Sequence, residues 1–122
     1  MVLTALTLAD ILTQTKARLG TIMTYGSIGT ATPAASASDT ALGNEVFRDS
    51  RDDFDDSVSN AVTVSLKIAI TEANGNKLTE FGWFNASTGG SLWTRNVLTG
   101  ITKTNDIQVY FDTTITISVV ED

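Results

Sequence analysis

The chain has no cysteine and no histidine among its 122 residues. Those two absences together remove disulfide frameworks, thiolate nucleophiles, imidazole general bases and zinc sites of the usual ligand sets. It has one proline, Pro33, and no apolar run approaches the roughly 18 residues that a bilayer span requires. Positive charge is scarce: 8 Lys and Arg against 14 Asp and Glu give a formal charge of −6. That balance argues against nucleic acid, whose binders carry a basic footprint. The N-terminus lacks a signal peptide's basic segment, and Asp10 interrupts its apolar positions. A length of 122 residues points to one domain, able to bury about two-thirds of its surface without disulfides or metals.

What is present is period-two alternation. In 61–71, Val62, Val64, Leu66, Ile68 and Ile70 alternate with small or polar residues. In 107–119, Ile107, Val109, Phe111, Ile115, Ile117 and Val119 do the same. Both patterns predict strands with one buried face. Between them, 78–95 reads as a β-hairpin: Phe81, Trp83 and Phe84 lie on one arm and Leu92 and Trp93 on the other. The turn holds Gly89 and Gly90, which can supply positive φ. A turn centred between Ser87 and Thr88 sets Glu80 opposite Arg95 as a cross-strand ion pair, and Trp83 opposite Leu92. Asn74-Gly75 marks the turn into the hairpin; Gly100 and Asn105-Asp106 bracket the step out of it.

Upstream, Thr7 as N-cap, Asp10 three residues on and Gly20 as a C-terminal stop predict a helix over 8–19. Leu8, Ile11, Leu12, Thr15 and Leu19 form its apolar face, which needs a partner because about 12 residues are marginal alone. Residues 21–25 can form a strand, broken by Gly26-Ser27-Ile28-Gly29; 30–40 is a small-residue loop. The two glycines offer only a faint phosphate-loop signal, since no Lys-Ser/Thr follows. Val46, Arg48 and Ser50 permit a further strand. Asp49, Asp52, Asp53, Asp55 and Asp56 then cluster, either as a calcium loop or as a solvated acidic turn that discourages edge pairing; the missing glycine and terminal glutamate favour the turn. The predicted fold is mainly β: an antiparallel β-sandwich or small barrel of about six strands, preceded by one short N-terminal α-helix. Residues 1–20 form the helical arm and 21–122 the β domain.

No catalytic constellation stands out. Glu45, Glu72 and Glu80 fall on different elements, and Glu80 has Arg95 as its expected partner. Trp83 and Trp93 suit either a core or subunit interface, or a sugar-stacking platform. No catalytic residue, cofactor or metal site is expected.

Four segments in order carry a resemblance: 25–30 (YGSIGT); 39–48 (DTALGNEVFR); 78–85 (LTEFGWFN) followed by 89–95 (GGSLWTR); and 101–104 (ITKT) leading into an alternating strand. This order resembles the small β domain of tailed-phage structural proteins known as phage tail-collar fibre or tail-fibre-like, over roughly residues 20–119. The resemblance implies a virion component with no catalytic residues, assembled in the host cytoplasm. Fibre members typically continue into a shaft or tip. A lone domain with a helical arm is more like a capsid decoration (cement) protein, commonly trimeric and seated on the major capsid protein. Leu8, Ile11, Leu12 and Leu19, with Trp83 and Trp93, are then the expected contacts to other copies or partners. The alternatives are a collar or tail-fibre attachment domain and a carbohydrate-binding module using Trp83 and Trp93. No nucleic-acid or membrane partner is expected.

Overall fold

A computed structural model describes residues 2–120. Helix α1 (Ala5–Ile22) is followed by seven strands: β1 (Tyr25–Gly29), β2 (Glu45–Ser50), β3 (Asp53–Asp55), β4 (Ala61–Ile68), β5 (Lys77–Phe84), β6 (Leu92–Thr102) and β7 (Val109–Thr116). They form two antiparallel sheets, one in the order β2-β1-β5-β6 and the other β3-β4-β7. The protein is a β-sandwich with an N-terminal helix, and the sheets do not close into a barrel. The seventh strand is the short β3, which pairs Asp53–Asp55 with Ser65–Thr63 at one edge.

The alternation in β4 is realised without exception: Val62, Val64, Leu66 and Ile68 are buried, and their neighbours are half-exposed. Each such side chain contributes about 1.5–3 kcal/mol. Ile70 lies beyond the strand and is exposed. From β5, Phe81 and Trp83 point to the same interior, Phe81 stacking on Phe111 of β7 at 4.7 Å and meeting Trp83 edge-on at 5.5 Å. The gap in the β7 alternation, Thr113, has a purpose. Its hydroxyl accepts the Trp83 indole N–H at 2.9 Å, so the buried indole is not left without a partner.

Three features differ from the sequence reading. The helix starts earlier and ends later than 8–19. Thr4 is the N-cap, its hydroxyl accepting the Thr7 N–H, so Thr7 lies inside the helix. Gly20 is also inside; a Cβ there would stand 3.1 Å from the Phe54 ring, so glycine admits the aromatic rather than stopping the helix. The boundary at residue 20 therefore falls within α1, whose end belongs to the core through Ile22 and Met23.

Second, 26–29 is not a break but the body of β1, the buried strand between β2 and β5. A Cβ on Gly26 would lie 2.6 Å from Leu66, and one on Gly29 would collide with the Asn44 carbonyl and the Glu80 carboxylate. Glycine here permits close packing across the layers. Residues 21–25 accordingly hold a helix end and a strand start, and the phosphate-loop reading lapses because the segment is a paired strand.

Third, the hairpin register is displaced. Gly82 pairs with Arg95, Trp83 with Thr94 and Glu80 with Val97, with shifts near Thr79 and between Trp83 and Phe84. Neither Glu80 with Arg95 nor Trp83 with Leu92 is a direct cross-strand pair. Gly100, read as a boundary, lies inside β6 at φ +108°, where the strand accommodates extra residues. Gly89 and Gly90 do adopt positive φ in the turn, and Asn85 Oδ1 accepts the Ser91 N–H to close it.

Candidate functional site

Two surfaces stand out: a loop clasped to the outer face of the larger sheet, and the free side of α1. The clasp centres on Glu80. Although displaced in register, Glu80 and Arg95 meet diagonally, Arg95 Nε donating to Glu80 Oε1 at 3.0 Å. Glu80 Oε1 also accepts the Gly43 N–H at 2.7 Å, while Oε2 accepts those of Asn44 at 2.8 Å and Ala31 at 3.0 Å. Arg95 extends the clasp, donating to the carbonyls of Pro33 and Ala34 and to Asp39 Oδ2 at 3.1 Å. Thr79 adds a bond to the Ala31 carbonyl. Both edges of the 31–44 loop are thus held, and Leu42 is buried near Gly82, where any Cβ would crowd it.

Burial works to raise the pKa of Glu80, but the N–H groups of Asn44, Gly43 and Ala31 and the Arg95 guanidinium outweigh it, leaving the pKa lowered. Asp39 is also lowered, first by the Ser36 N–H and then, against some desolvation, by Arg95. With four donors on its two oxygens, Glu80 anchors a loop and is not free to act as a base.

The acidic cluster is not gathered. Asp52 accepts the Lys67 N–H at 2.7 Å and Asp55 that of Ser57 at 2.9 Å. Among the described residues no three acidic side chains converge as a metal-holding group. Asp53 and Asp55 lie exposed on the edge strand β3.

The predicted contact residues divide. Leu8 and Ile11 are 37% and 38% exposed; Leu12 is half-buried. Leu8 and Leu12 line two shallow grooves, one bounded by Ala9 and Ser59, the other by Asn60, Ile117 and Val119. Leu6, Val58 and Val119 are also exposed, the last bordering the second groove. Leu19, by contrast, packs against the core, and Trp83 is sealed inside. Trp83 presents no surface to a partner or a ligand, whereas Leu19 is half-buried, like Leu12. Trp93 remains 45% exposed.

Three features escaped the sequence reading. Lys16 donates to the Asp56 and Val58 carbonyls and ties α1 to the β3–β4 loop. Arg51 donates to the Gly20 carbonyl at 2.6 Å, satisfying an end carbonyl of α1 while lying over Phe54. Lys103, fully buried, donates to Asn74 Oδ1 at 2.8 Å and to the Thr104 carbonyl, joining two turns. Each is a long cation reaching a distant carbonyl, which no local spacing discloses.

No protein-family model and no curated protein matches the chain.

Proposed function

We propose that this protein is a non-enzymatic structural component of a tailed-phage virion, a trimeric capsid decoration protein that stabilises the head by covering apolar surface between subunits. The observation that carries the assembly role is the first half of α1. Leu8 and Ile11 remain exposed on a helix whose one buried residue is Ile22, and grooves flank Leu8 and Leu12 on two sides. A helix with an unburied apolar stripe is stabilised by a partner. The virion role rests on the ordered segments described above. The lack of histidine and cysteine and the engagement of Glu80 support a role without catalysis.

Two measurements test this reading. In solution the wild-type mass should be three times the 13.0 kDa of the chain, and Leu8→Asp should reduce it to the monomer while leaving the β-sheet signal intact. A monomeric wild type at about 100 μM, well above the range of stable assembly, would overturn the trimer. In purified particles, copy number near that of the major capsid protein, or a simple fraction of it, is expected. A handful of copies would instead favour the collar or tail-fibre attachment reading.

A further inference from the structure

Beside the clasp lies a concavity of about 110 Å³, lined by Ser36, Ala37 and Asp39 of the loop and by Leu92, Trp93 and Arg95 of β6. We propose that it is a binding site for a single neutral pyranose ring, stacked on Trp93 and hydrogen-bonded by Asp39. The inference stands apart from the assembly reading and uses a different surface.

Trp93 owes its exposure to the register shift. Trp83 pairs with Thr94 and Phe84 with Leu92, so Trp93 is the residue left over between them. Such bulges re-aim a side chain, and here an indole is 45% exposed at the rim of the concavity. A lone exposed aromatic is ordinary on a protein surface; a fixed polar group next to it is less so. Asp39 Oδ2 is taken by the Ser36 N–H at 2.8 Å and by Arg95 at 3.1 Å. Among the described residues none donates to Asp39 Oδ1, and the side chain is 27% exposed. Arg95, its side chain 5% exposed, cannot swing away, because Glu80 and two loop carbonyls hold it. The acceptor is therefore pre-organised.

The chemistry selects a sugar. An indole face takes the apolar C–H side of a pyranose, and a carboxylate oxygen accepts from ring hydroxyls. Polyanions are disfavoured by the formal charge of −6 and by the carboxylate in the wall. A quaternary ammonium wants several aromatic walls and an uncompensated anion; this site has one indole, and Arg95 compensates Asp39. The concavity is open on one side, so a ring laid on the indole would leave the rim free to a longer chain. A single stacked ring binds weakly, in the millimolar range.

The test is ¹⁹F NMR of protein labelled with 5-fluorotryptophan, which carries two reporters, Trp83 and Trp93. Methyl glucoside, galactoside, mannoside and N-acetylglucosaminide are titrated separately. The Trp93 resonance should move saturably at millimolar concentration with at least one of them, and the Trp83 resonance should not. Asp39→Asn should weaken that response roughly tenfold; an unmoved Trp83 resonance certifies the fold. Trp93→Ala should abolish binding, read by saturation transfer from protein to glycoside. No response at about 100 mM, equal movement of both resonances, or a response to tetramethylammonium but to no glycoside would overturn the proposal.

Discussion

Glutamine at position 80 has the shape of glutamate but the wrong hydrogen-bonding capacity. The Glu80 oxygens face only donors: Gly43 and Arg95 on Oε1, Ala31 and Asn44 on Oε2. However a glutamine amide is turned, its NH₂ is set against two N–H groups, so two of the four bonds are lost. Arg95 also loses its fully buried counter-charge and keeps only the more exposed Asp39. Removing one partner of a buried ion pair costs about 3–5 kcal/mol, which agrees with two charge-assisted bonds at about 1.5–3 kcal/mol each. Against a total stability of about 5–15 kcal/mol, Glu80→Gln should lower the urea midpoint by about 2 M at a slope typical of this size. The damage should be local at first. Amides of Ala31, Gly43 and Asn44 should lose exchange protection before those of β4. The acid limb gives a second reading. Because the folded pKa of Glu80 lies below its ordinary 4.5, its contribution is complete above that value and is lost as pH falls through the lower folded value. Wild-type stability should decline below about pH 4.5, and Glu80→Gln should flatten that decline. A variant within about 1 kcal/mol of wild type, with the acid limb unchanged, would refute the clasp as a stabilising device.

Two further substitutions probe the interior. Gly29→Ala sets a Cβ against the Asn44 carbonyl and the Glu80 carboxylate; neither neighbour can retreat without breaking the clasp, so a loss of about 1–3 kcal/mol is expected by chemical denaturation. Trp83→Phe removes the bond to Thr113 and part of a ring in a sealed site, with a loss of about 1–3 kcal/mol; tryptophan emission should then report only the half-exposed Trp93 and lose the component that acrylamide does not reach.

The β-sandwich was legible where one face of a strand is uniformly apolar. Val62 to Ile68 fixed β4 because a one-residue slip would expose its whole buried set. The β1 strand was hidden for the opposite reason. Gly26 and Gly29 carry no side chain to mark a face, and their value lies in what packs against them, Leu66 and Asn44, which are distant in sequence. Gly20 misled in the same manner, its reason being Phe54 of β3. The Glu80–Arg95 contact could be anticipated from opposite charges on two arms of a hairpin, but its register could not, because the bulge that places Trp93 outside inserts a residue that alternation does not count. The anchoring of the loop was invisible: 31–44 offers little apolar patterning, and its order comes from backbone N–H groups meeting one buried carboxylate.

The two halves of α1 rest on different support. Its last turns are part of the sandwich, with Leu19, Ile22 and Met23 in or against the core, the Gly20 carbonyl held by Arg51 and the Phe54 ring seated on Gly20. Its first turns have the Thr4 cap, but Leu6 stands exposed, Leu8 only borders the open groove toward Ile117 and Val119, and it is Lys16, further along, that bonds the β3–β4 loop. An isolated helix of this length is near the limit of stability in water, so helical order should weaken from the tethered end toward Ala5. A partner seated on Leu8 and Leu12 would bury apolar surface and also hold turns that the sandwich does not reach. Assembly and helix order are then one equilibrium, in which part of the burial free energy offsets the entropy of ordering those turns. The proposed trimer would consequently be weaker than its apolar contact area suggests, and stronger in any variant that stabilises the first turns without touching the contact face.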